Sequence, residues 1–77
     1  MFPLTITKID GVVFQGDCLS LTCPGSEGEM TILKDHEPLV SALSAGTITV
    51  RTAGDQKSFP VKEGFITVSE EGVTVLV

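Results

Sequence analysis

Turn dipeptides interrupt this chain so often that most of its segments are long enough only for short strands. Asp10-Gly11, Gly16-Asp17, Pro24-Gly25, Ala45-Gly46, Gly54-Asp55, Glu63-Gly64 and Glu71-Gly72 recur along it. Glycine supplies the backbone angles that tight hairpins require. Between these turns the side chains alternate with a period of two. Leu4 and Ile6 share one face while Thr5 and Thr7 share the other. Ile48 and Val50 oppose Thr47, Thr49 and Arg51 in the same way. Phe65–Ser69 and Val73–Val77 are β-branched and alternate more loosely. Half-buried strands with evenly spaced turns indicate an all-β antiparallel sandwich or barrel. No stretch sustains a 3.6-residue period with helix caps. Leu39–Leu43 fits either a helical turn or a short strand.

Two details place particular strands. Pro60 lacks the N–H that a central strand needs, so its segment is predicted to be an edge strand or a bulge. The terminal Val73–Val77 run must be paired inside the domain, because exposed it would be an aggregation hazard. Phe14, Ile32, Leu33 and Phe65 are expected to be core residues.

Length and charge then exclude several classes of function. Seventy-seven residues make one domain, residues 1–77, with a thin stability margin. Ten acidic side chains against five basic ones leave a net charge of −5. Such a surface suits neither nucleic acid nor an anionic lipid surface. Lys8 and Asp10 break the N-terminal apolar residues before they reach signal-peptide length, and no apolar run approaches the ~20 residues that span a bilayer. The expectation is a soluble chain exposed to the cytoplasm, without lipid insertion.

Chemistry is sparsely supplied. Cys18 and Cys23, read on one continuous strand, would point to opposite faces about 16 Å apart, beyond disulfide reach. They are expected as buried, reduced thiols. Only His36 could join them on a metal, one ligand short of a zinc site. Glu27 and Glu29, two residues apart, could in principle form an acid–base pair, but glutamates in a glycine-rich turn are more often solvated loop charge. Gly25-Ser26-Glu27-Gly28 lacks the lysine and the following helix of a phosphate-cradling loop. No catalysis, cofactor, metal or small-molecule ligand is expected.

The most distinctive segment runs from Pro24 to Val40 and reads as a hairpin turn, a short strand and a proline-containing loop. It holds four acidic residues, one lysine and the single histidine. Across the chain one finds Phe14-x-Gly16, Pro24-Gly25-Ser26-Glu27-Gly28-Glu29, Ile32-Leu33, His36-x-Pro38-Leu39, Leu43-x-x-Gly46, Gly64-Phe65 and Val73-Thr74-Val75-Leu76. In order and spacing this series resembles the epsilon-subunit family of F-type ATP synthases, whose mitochondrial counterpart is called delta. The resemblance spans nearly the whole chain. Thr31 stands where that family commonly has glycine, Lys34-Asp35 where it has Pro-Gly, and Glu37 where it has alanine, so this loop is more charged and stiffer than usual.

The resemblance implies a flattened β-sandwich of two roughly five-stranded sheets. It implies a non-catalytic rotor subunit at the foot of the central stalk, linking the gamma subunit to the c-ring and coupling proton or sodium flow to ATP synthesis or hydrolysis. It places the domain peripherally on the cytoplasmic side of the inner membrane. Glu27, Glu29, Met30, Thr31 and Asp35 would then face the c-ring, and His36, Val40, Ser41 and Ala42 the gamma subunit. His36 could equally be a turn residue satisfied by local backbone. Family members usually continue into an inhibitory helical hairpin; this chain is expected to be a naturally short form without that C-terminal domain, and so without inhibition or ATP sensing. The competing reading is a lipoyl- or biotinyl-carrier sandwich, with Lys34 at a hairpin as the nearest match to the modified lysine. A sugar-binding sandwich is disfavoured because tryptophan and tyrosine are absent.

Overall fold

The computed structural model describes residues 1–35 and 37–77. Among the described residues there are nine strands and no helix: β1 Phe2–Lys8, β2 Gly11–Cys18, β3 Ser20–Gly25, β4 Gly28–Leu33, β5 Leu39–Leu43, β6 Gly46–Arg51, β7 Gln56–Val61, β8 Gly64–Ser69 and β9 Gly72–Leu76. The ambiguous Leu39–Leu43 segment is thus a strand. Pairing runs in the order β2-β1-β9-β8-β5-β3-β6-β7, with β4 on β3.

This single hydrogen-bonded path folds into two layers because of β3. One side of β3 pairs along its length with β4. The other side is shared. Residues 20–22 pair with β6, while Gly25 pairs with Leu43 of β5. Around that junction Ser26 N–H donates to the Ala42 carbonyl (3.0 Å) and Ser44 N–H donates to the Pro24 carbonyl (2.8 Å). The result is a five-stranded layer, β2-β1-β9-β8-β5, joined at one corner to a four-stranded layer, β4-β3-β6-β7. Pairing is antiparallel throughout except between β1 and β9, which run parallel, so the sandwich is mixed at that one point rather than wholly antiparallel.

At the junction the backbones of β3, β4 and β5 meet closely. A Cβ on Gly25 would lie 2.7 Å from the Gly28 carbonyl oxygen and 2.9 Å from Met30 Cε. The hairpin beyond it turns through Ser26-Glu27 and enters β4 at Gly28 with φ +135°, a conformation side chains disfavour.

The opposite side of the sandwich is where the two ends of the path, β2 and β7, approach. Phe14 of β2 and Phe59 of β7 stack at a tilt with ring centroids 6.0 Å apart. Lys57 Nζ lies 5.7 Å from the Phe14 centroid. Tilted aromatic pairs of this kind are worth about 0.5–1.5 kcal/mol beyond their buried area. Phe14 therefore seals a seam and is only half-buried, where the sequence predicted a core residue.

The period-two reading holds in detail. Leu4, Ile6, Leu21, Ile48, Val50, Ile66, Val68, Val73 and Val75 all point inward into one core with Ile32, Leu43 and Val61. β7, which carries Pro60, pairs with β6 alone and is an edge. The terminal β9 lies between β1 and β8, so its apolar run is paired on both sides. The Cα radius of gyration is 11.1 Å.

Three expectations are corrected. Phe65 and Leu33 are each 57% exposed, because they fall on the outward parity of β8 and β4; their neighbours Ile66 and Ile32 take the core positions. Cys18 and Cys23 do not point to opposite sides. The chain bends at Leu19, ending β2 and starting β3, so the parity count restarts and both thiols enter the core as free cysteines.

Burial pushes the Cys18 thiol up to about 11, with Asp17 adding to it and the N-terminal amine opposing it. Burial and, secondarily, Glu29 push Cys23 up to about 11 as well. The fold therefore favours the protonated thiols. Their contribution to stability is complete below the unfolded value near 9 and is lost as pH rises to about 11. The thermal midpoint should fall across this window, and less steeply in a Cys18→Ala/Cys23→Ala variant; parallel slopes would show that the thiols contribute nothing. Phe65 and Ile66 supply a second test. Ile66→Ala should lower the unfolding free energy by about 2–5 kcal/mol, and Phe65→Ala by about 0.5 kcal/mol or less, as read by denaturant titration.

Candidate functional site

The residues singled out in the sequence do not form one loop. Glu27 is exposed in the two-residue turn between β3 and β4. Glu29 and Thr31 follow on the outer face of β4, both exposed. The Thr31 hydroxyl lies 3.2 Å from that of Thr22 across the β3–β4 pair. Met30 has the opposite parity and packs, half-buried, against the core. Asp35 lies at the other end of β4, separated from Glu27 by six strand residues, or about 20 Å. There it adopts a positive φ of 65° and lines a groove with Met1–Pro3, Lys34, Ser69, Glu70 and Gly72. The tip thus presents Glu27, Glu29 and Thr31, without Met30 or Asp35.

On β5 the same parity rule divides another predicted set. Val40 and Ala42 face outward, Val40 being 73% exposed. Ser41 turns inward, half-buried, and its hydroxyl donates to the Ala42 carbonyl at 3.2 Å. His36 lies outside the described residues.

Val40 and Ala42 belong to a much larger surface. Strand register aligns them into two rows that cross all five strands of their layer. Ala42, Phe65, Leu76, Thr7 and Val12 form one row. Val40, Thr67, Thr74, Thr5 and Gln15 form the other. At ~4.8 Å between strands each row is about 19 Å across. None of the ten side chains is charged. Val12, Phe65 and Leu76 are 60%, 57% and 51% exposed. The charged residues sit instead at strand ends and turns, among them Lys8, Asp10, Glu27, Lys34, Asp35, Lys62, Glu63, Glu70 and Glu71.

A broad exposed sheet face that is apolar, threonine-rich and free of charge matches the centre of a protein–protein interface, where charged residues are depleted. The rows were readable in part. In Phe65–Ser69 and in Val73–Val77 apolar residues occupy both parities, so one set had to face away from the core. The parity of Phe65 and Leu76 could not be assigned without the register that aligns them.

The site offers surface contact and little chemistry. Among the described residues no group of three or more His, Cys, Asp or Glu could hold a metal ion. Both thiols are buried and protonated at neutral pH. Among the described residues no helix is long and apolar enough to cross a membrane.

Known proteins share this geometry. The family model described as the β-sandwich domain of the ATP synthase delta/epsilon chain matches residues 1–77. The ATP synthase epsilon chain of Sulfurovum sp. is 37% identical over 78 residues, covering 100% of this chain and 61% of that protein. The epsilon chain of Nitratiruptor sp. is 40% identical over 75 residues, covering 96% of this chain and 58% of that protein. This chain therefore spans about three fifths of the length of these relatives. A chain from the mitochondrial ATP synthase OSCP/F1/c-ring structure of Euglena gracilis superposes with a TM-score of 0.92 at 28% identity, covering 99% of this chain and 49% of that one. A chain from the central stalk/c-ring structure of the Tetrahymena thermophila mitochondrial ATP synthase, at 16% identity and a TM-score of 0.86, has the same fold over 99% of this chain and 62% of that one.

Proposed function

Because the chain belongs to the delta/epsilon-chain β-sandwich family of ATP synthases, we propose that it is a non-catalytic rotor component that links the gamma subunit to the c-ring. The uncharged outer face of the five-stranded layer seats on gamma. The acidic β3–β4 tip, with Glu27 and Glu29, meets the polar loops of the c-ring. The domain turns with both partners and so couples proton or sodium flow to ATP synthesis or hydrolysis, on the cytoplasmic side of the inner membrane. The carrier reading loses its basis with the family match, and Lys34 has no role in this one.

The observation that carries the proposal is the pair of charge-free rows from Val40 and Ala42 to Val12 and Gln15. The two contacts differ in kind. The sheet face removes apolar surface from water at roughly 25 cal/mol per Å2, so it supplies affinity. The tip supplies exposed carboxylates, each worth about 0.2–1 kcal/mol against a cationic partner, so it supplies orientation. The work asked of the domain is mechanical. A body of 26 × 24 × 19 Å built from paired strands around one core is suited to transmit torque between two grips.

The two contacts separate experimentally. Phe65→Asp should weaken binding to purified gamma at least tenfold by titration calorimetry, because it buries a charge at the centre of the face, while leaving the thermal midpoint of the free chain nearly unchanged. Unaltered binding would remove gamma from this face. Glu27→Lys should leave gamma binding intact and weaken assembly with the c-ring a few-fold. Unchanged ATP-driven ion pumping in reconstituted vesicles would count against the tip contact.

A further inference from the structure

Among the described residues three strands, β2, β4 and β7, have one side wholly unpaired, and these edges are not equally protected. A free edge offers unpaired N–H and C=O groups to any passing strand, and folded proteins blunt such edges with proline, lysine or bulges. β7 carries Lys57 and Pro60. β2 is kinked by a bulge, its register against β1 slipping by one residue between Phe14 and Val12. β4 has neither device. Its sequence, Gly-Glu-Met-Thr-Ile-Leu, contains no proline and no lysine, and its register with β3 is unbroken from Gly28 to Leu33. Among the described residues it pairs with β3 alone.

The groups presented at this edge follow from β3. The Pro24 carbonyl points away from β4, since it accepts the Ser44 N–H. Pro24 is the register partner of Glu29, so in an antiparallel ladder the Glu29 backbone also points away from β3. The same holds two and four residues on. Glu29, Thr31 and Leu33 therefore direct their N–H and C=O groups to the open side, a three-residue template about 13 Å long.

We infer that this edge is completed by an extended segment of the gamma subunit, which adds a tenth strand beside β4. The inference rests on the docking of gamma proposed above and deepens it. At the β5–β3 junction the Ala42 carbonyl accepts the Ser26 N–H, at the turn that leads into β4, so a subunit covering Ala42 reaches the corner from which β4 starts. Charge selects the occupant. Glu29 stands on the edge strand itself, which favours a segment with a basic side chain opposite it. A second copy of this chain would instead bring together two bodies of net charge −5 each. Strand addition of this kind takes its affinity from main-chain hydrogen bonds and its register from alternate side chains.

The outward N–H of Thr31 makes the test specific. Proline there removes a donor that the isolated fold does not use and puts a ring in the path of the added strand. Thr31→Val loses the same hydroxyl contact with Thr22 and keeps the N–H. Thr31→Pro should bind purified gamma at least tenfold more weakly than the original chain, and Thr31→Val should bind like the original. Independently of any variant, hydrogen exchange of the original chain should be fast at Glu29, Thr31 and Leu33 when free and slowed at least tenfold in the gamma complex. If gamma binds while these amides still exchange freely, strand addition is overturned and the sheet-face contact stands. If gamma does not bind at all, both readings fall. Sedimentation of the free chain as a dimer, with these amides protected, would give the edge to a second copy and overturn the assignment to gamma.

Discussion

The architecture depends on one strand serving two layers. β3 lends its lower residues to β6 and its upper end, at Gly25, to β5. Pro24 suits this position. It has no N–H to leave unsatisfied, and its carbonyl accepts both the N–H and the hydroxyl of Ser44. The absence of a side chain on Gly25 lets β4 come close at the same point. Without that crossing the chain would be one wide sheet with an apolar side open to water. With it, the sheet folds over and both layers share one core. The Phe14–Phe59 pair then closes the side where the two ends of the sheet meet.

That closure leaves each strand with one face inside and one outside, and it decides where function can reside. The inside is apolar and holds no buried polar or charged residue among those described. The turns collect most of the charge. What remains is the outer surface of the sheets, and the five-stranded layer offers two charge-free rows across its full width. A small domain whose chief resource is a stiff, flat, neutral surface is well built for being held. The same layout accounts for the separate roles of face and tip, since the acidic hairpin stands at the end of the strands and the apolar rows run across their middle.

Much of this was legible from residue order, and the part that was not has a physical reason. Alternation alone placed Leu4, Ile6, Ile48 and Val50 inside, and the missing N–H of Pro60 marked an edge. Alternation fails where a strand is apolar on both sides. Phe65 and Leu33 read as core residues because a large apolar side chain beside another gives no sign of which one faces in. Only cross-strand register decides that. The cysteines defeat the parity count for a related reason: the bend at Leu19 resets the parity, and a single residue between two strands leaves little trace in composition. The tip suffered from distance along the chain. Asp35 is eight residues from Glu27, close in sequence, yet a whole strand carries it to the far end of the domain. The family resemblance identified the segment but could not resolve which side chains within it face one way.

The central claim is that the neutral outer face of the five-stranded layer is the surface by which gamma holds this domain. Chemical-shift mapping of the isotopically labelled chain during titration with purified gamma tests it most directly. The account predicts that the backbone signals of Thr5, Thr7, Val40, Ala42, Phe65, Thr67, Thr74 and Leu76 shift or broaden together. Those of Thr47, Thr49 and Ser58, on the outer side of β6 and β7, should stay in place. Perturbations gathered on β6 and β7, with the rows on β5, β8, β9 and β1 unmoved, would contradict it.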